Sequence, residues 1–177
     1  MMQVITAFAV IEYAQKTESR TEFLRQKEAG MLKALLKTDN NKASIFLRLA
    51  LGIVMFPHGA QKVLGWFGGP GYEKTIEIFT TKVHLPVFAV ILLMITEFAG
   101  SLCLISGLFT RVFALAIGFA MAVCAYGNHI QNGFFMNWMG AQKGEGFEFH
   151  ILVVGIALAL AVKGGGAFSI DKMISKK

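Results

Sequence analysis

Seven side chains able to bind charge or move protons lie inside or beside long apolar runs. Arg48, His58, Gln61 and Lys62 fall within Ala43–Leu64, Glu97 within 86–106, His129 just beyond 111–128, and Glu148 at the start of 147–163. An ionisable group in a membrane-spanning helix costs roughly 2.5–3.5 kcal/mol on insertion scales, so each one retained asks for a function. At 100° per residue, Arg48, His58 and Lys62 project within an arc of about 80°, one stripe of a helix. Glu97 is the single carboxylate of its run, and needs a cationic partner, Lys62 or Arg48. His58, Lys62 and Glu97 are the candidate catalytic groups, being types that transfer protons or offset developing negative charge. Arg48, Gln61, His129 and Glu148 are the candidate substrate-binding groups. Plainer roles stand beside these. Lys62 can snorkel, Arg48 can meet lipid phosphates, His129, His150 and Glu145 suit an interface, and Glu97 suits a structural ion pair.

Other chemistries find little support. His58, His129 and His150 belong to three different segments and match no compact ligand motif such as HExxH, so no metal is expected. Cys103 and Cys124 sit in apolar runs with no CxxC and read as packing residues. The GGPG at 68–71 lacks the Lys-Ser/Thr of a phosphate loop and reads as a turn. No flavin or iron–sulfur motif is present, so no covalently bound cofactor is expected.

The elements that must position these residues follow from composition. The 177 residues are 55% hydrophobic with mean hydropathy +0.57, and only 16% are charged. A soluble domain carries about 25% charged residues, so this chain lacks the polar surface to cover itself in water. Its net charge of +6 does not mark a nucleic-acid binder, because the basic residues avoid the apolar runs instead of lining a solvated face. Four runs are near the length needed to cross about 30 Å of hydrocarbon: Ala43–Leu64, 86–106, 111–128 and 147–163. The segments between them, including Gly-rich 65–85 and 129–146, read as connections. The fold class is therefore an all-α, integral-membrane four-helix bundle over 43–171. It follows a basic segment, 1–42, in which Leu24, Met31 and Leu35 repeat at helical spacing as one or two amphipathic helices, and precedes a short basic tail, 172–177. The N-terminal stretch has no positive n-region and reads as retained, not as a removed signal. With four spans, twelve Lys/Arg fall on the side of the termini, against Lys74, Lys82 and Lys143 on the other. The positive-inside rule then places both termini in the cytoplasm. Polar groups of the first, third and fourth spans then share the outer level, with Trp66 and Trp138 at the interface.

Across 48–171 the chain resembles the DoxX family of small four-helix membrane proteins, related to the DoxD subunit of thiosulfate:quinone oxidoreductase. The resemblance rests on Arg48, HGAQK at 58–62, EFAGSLCLISGLFTR at 97–111, NGFFMNW at 132–138, GEGFEFH at 144–150 and GGGAFSID at 164–171. It implies a multi-pass protein of the bacterial inner membrane and carries over Arg48, His58, Lys62, Glu97, Arg111 and Glu148, while Ser169 and Asp171 match in a turn with a helix cap. It also implies quinone-dependent oxidation of a small sulfur compound such as thiosulfate, with quinone as substrate rather than cofactor. The absence of a redox motif keeps a second reading open, a non-catalytic module that binds partners in a redox or stress-response complex. Expected partners are the lipid bilayer, quinone, a small anion, and a partner subunit or a second copy of the chain, but no nucleic acid.

Overall fold

The computed structural model describes the backbone of residues 2–176 and the side chains of 15–176. The N-terminal stretch read for a leader falls largely on 1–14 and so lies outside the described side chains. The chain divides into two compact units, Met1–Leu35 and Leu36–Lys177. The first is one continuous helix, α1 (Met2–Leu36), unbroken because the segment has no proline and spaces acid and base at helical intervals, as with Glu22 and Arg25. Its Phe23, Leu24, Met31 and Leu32 are exposed.

The second unit is built on four packed helices: α2 (Ala43–Leu64), α4 (Val87–Ser106), α5 (Thr110–Cys124) and α6 (Glu148–Lys163). They form a ring in which α2 packs on α4, α4 on α5, α5 on α6 and α6 on α2. Leu51, Met55, Leu104, Ile117, Ala157 and Leu160 fill its centre. Pro57 lies inside α2 without ending it. Small residues let α2 and α4 approach closely: a Cβ on Gly52 would lie 2.9 Å from the Ser101 carbonyl oxygen, and one on Gly59 2.6 Å from the Glu97 carbonyl carbon.

Outward the bundle is apolar. Phe46, Phe88, Phe119 and Val162 are 72–74% exposed, a surface that water would not tolerate over such an area and that hydrocarbon solvates. Helices α2, α4 and the stretch Thr110–Asn132 are long and apolar enough to cross a membrane. Helix α6, at 16 residues, rises only about 24 Å at 1.5 Å per residue. The protein is an all-helical membrane protein, with no strand among the described residues.

Two segments read as connections carry structure of their own. After α2 ends at left-handed Gly65, the 65–85 segment makes a 3₁₀ turn and then α3 (Gly71–Thr81). Glycine content suggested a loop, yet once GGPG has turned the chain, YEKTIEIFTT supplies an uninterrupted helical stretch. Buried Thr75 ties α3 to the end of α2 by donating to the Lys62 carbonyl at 3.2 Å. Beyond Cys124, α5 runs on as a π-helical segment, Ala125–His129, and a 3₁₀ turn, Ile130–Asn132. Helix α7 (Ile170–Ser175) closes the unit, capped by the Ser169 hydroxyl, which accepts from the Lys172 amide.

Candidate functional site

Between α2 and α4, Lys62 Nζ meets Glu97 Oε2 at 2.5 Å. Glu97 stands midway along α4, 6% exposed, and the Lys62 side chain is 17% exposed. Gly59 makes the meeting possible, because only a residue without Cβ lets the α2 backbone lie against the Glu97–Phe98 peptide. Lys62 also donates to the His58 carbonyl at 3.4 Å. His58 itself is exposed on the bundle surface, within electrostatic reach of both Lys62 and Glu97. Phe56 and Phe98 stack beside the pair with ring centres 5.7 Å apart. A carboxylate and an ammonium in contact inside an apolar wall can exchange a proton at little net charge cost, and also hold two helices in register.

Other nominated residues stand elsewhere. Gln61 donates to the Phe67 carbonyl at 3.3 Å and holds the turn after α2. Arg48 does not join Lys62: fourteen residues of helix separate them, a rise of about 21 Å. It is 3% exposed and donates to the carbonyls of Ile105, Ala167 and Phe168. Beside it, buried Asp171 accepts from the amides of Phe109 and Thr110 at the start of α5. Arg111 donates to the carbonyls of Lys37 and Ala161. These three charged residues tie off the ends of α4, α5 and α6 at one end of the bundle. Glu148 accepts from the Met136 amide at 2.9 Å and Glu145 from the Asn137 amide at 2.6 Å, so both carboxylates clamp the NGFFMNW loop onto the start of α6.

His129 lies against His150, ring centres 4.3 Å apart, and Cys124 joins them, with ligand atoms of all three within 4.8 Å of one another. His58 is not part of this cluster. Sequence spacing gave no sign of Cys124, because residues five apart in an α-helix project about 140° apart; the π-helical turn brings 124 and 129 together. Next to the cluster an apolar groove of about 320 Å³ is lined by Ala125, Tyr126, Ile130, Phe147 and His150.

The DoxX family model matches residues 43–130, the stretch that carries α2 to α5 and the π-helical turn. These residues belong to the DoxX family. The DoxX match takes in Arg48, His58, Lys62, Glu97, Arg111 and the π-helical turn, and ends before the loop clamp and the Arg48–Asp171 closure are complete. Two curated relatives extend further. The inner membrane protein YqjF of Escherichia coli is 28% identical over 131 residues, covering 73% of this chain and 90% of its own length. The inner membrane protein YphA of the same organism is 24% identical over 132 residues, covering 72% and 87%. No solved structure matches the chain significantly.

Proposed function

We propose that this DoxX protein is a quinone-handling subunit of the bacterial inner membrane, in which the Lys62–Glu97 pair holds and releases a proton as quinone is reduced. The observation that carries the reading is the buried pair itself, at 2.5 Å with Glu97 midway along an apolar helix. Burying such a pair rarely repays its desolvation in stability, whereas a proton relay requires it. Quinone takes up two electrons and two protons on becoming quinol. His58, exposed on the lipid side, is placed to hydrogen-bond a ring carbonyl, and Phe56 and Phe98 offer apolar faces. Two thiosulfate ions joining through a new S–S bond as tetrathionate would give up the two electrons, and a thiosulfate drawn to Lys62 would free the Glu97 carboxylate to accept one of the protons on its way to the quinone; alternatively a partner subunit supplies the electrons. The chain crosses the membrane four times with both termini cytoplasmic, α6 spanning by local thinning or tilt of its neighbours. The inner-membrane names of both E. coli relatives support the location.

A second reading is favoured by Arg48, Asp171 and Arg111, whose bonds all run to backbone groups: the charges form a structural frame and the protein is a module that binds a partner or a second copy. The test is thiosulfate-dependent reduction of a quinone analogue by protein in nanodiscs, wild type against Glu97→Gln. Under the quinone reading the variant, less stable because Lys62 loses its counter-charge, still folds and loses activity at least 100-fold. Equal activity in both takes Glu97 out of the proton path, and no activity in the wild type with no quinone binding favours the module.

A further inference from the structure

Cys124, His129 and His150 have no part in the proton reading, yet they converge from the end of α5, its π-helical extension and the start of α6. We propose that they form a binding site for a transition metal ion of the zinc and copper class, which favours thiolate and imidazole donors. Their ligand atoms lie within 4.8 Å of one another. Bonds of about 2.0–2.3 Å in a tetrahedral site put donor atoms roughly 3.3–3.8 Å apart, so the triad closes on an ion by side-chain movements of about 1 Å.

Three further observations point to a ligand. His150 is 5% exposed, and its Nδ1 is buried with no hydrogen-bond partner, a state that costs free energy unless something occupies the nitrogen. His129 Nδ1 faces the Glu145 carbonyl oxygen at 2.9 Å. A carbonyl only accepts, so Nδ1 carries the proton and Nε2 keeps its lone pair, the tautomer and the backbone orientation typical of a metal-bound histidine. Asn132 Nδ2 donates to the same carbonyl at 3.1 Å and steadies it. Finally, the Ile130 amide donates to the Ala125 carbonyl in an i→i+5 bond. This π turn puts Cys124 and His129 on one face, and such turns concentrate at functional sites. Three protein donors leave a fourth position for an exogenous ligand, the pattern of reactive rather than purely structural sites.

The test uses the full chain, purified in detergent, stripped with chelator, and titrated with Co²⁺ as a probe for zinc and with Cu⁺ against a competing chelator. At least one of the two ions binds at one per chain, Co²⁺ giving a thiolate charge-transfer band. Cys124→Ser abolishes that band, His129→Ala weakens binding at least tenfold, and Cys103→Ser changes neither. In the wild type, where no variant can misfold, bound Zn²⁺ or Cu⁺ slows maleimide labelling of Cys124 at least tenfold. Metal binding equal in wild type and in Cys124→Ser/His129→Ala, or labelling of Cys124 unaffected by either ion, overturns the proposal.

Discussion

Taking away one member of the Lys62–Glu97 pair leaves the other as an uncompensated charge in an apolar wall, a loss of about 3–5 kcal/mol. Lys62→Met alone is therefore expected to lower the melting temperature markedly in detergent, while Lys62→Met/Glu97→Leu recovers most of it; a double variant as unstable as the single one would show that the pair is needed for folding itself. Arg48 behaves differently because its partners are carbonyls rather than a carboxylate. Replacing it with Lys keeps the charge but loses the planar fork that reaches three oxygens at once. Arg48→Lys is expected to destabilise the bundle, read as a lower melting temperature, without changing the apparent KM for a quinone analogue. A raised KM would return Arg48 to the substrate site. Both residues were conspicuous in the sequence as charges within one apolar run, and Glu97 visibly needed a cation. Which cation served was set by the rise along α2, since a residue near the start of the helix cannot reach the middle of α4.

The contact between α2 and α4 rests on Gly52 and Gly59. Adding a methyl at Gly59 forces the two backbones apart, and overpacking of this kind costs about 1–3 kcal/mol. Gly59→Ala is therefore expected to lower stability and to weaken the Lys62–Glu97 contact together, whereas Gly30→Ala, in α1 with nothing near its added Cβ, leaves the bundle unchanged by thermal unfolding. The helical class and the membrane setting were legible in composition and run length. Helix α3 was not, because the glycines of GGPG drew the whole 65–85 segment into a loop assignment and masked ten helix-compatible residues after it. The π-helical turn was equally hidden: it depends on one altered hydrogen bond, not on residue type, and with it went the meeting of Cys124 and His129. The loop clamp was half visible, since Glu145 and Glu148 stood out as charges at an interface but nothing in their spacing showed that they would cap backbone amides.

At the scale of the whole molecule, the bundle wears its apolar side chains outward and closes one end with Arg48, Asp171 and Arg111 while keeping Lys62, Glu97 and the histidines away from that end. If the chain crosses four times with both termini cytoplasmic, single cysteines placed at Lys27 and Lys172 are labelled by an impermeant maleimide only after the inner membrane is opened, and one at Lys143 is labelled in intact spheroplasts. The reverse pattern would invert the topology and put the polar cluster on the cytoplasmic side. In the proposed quinone role, Glu97 changes protonation when quinone is reduced. Redox-driven infrared difference spectroscopy on the protein in nanodiscs with a quinone analogue reads that event directly. The expected spectrum gains or loses a protonated-carboxyl C=O band on reduction, and the band is absent in Glu97→Gln. No carboxyl band in the wild type, or one that persists in Glu97→Gln, would contradict a proton-handling role for the pair.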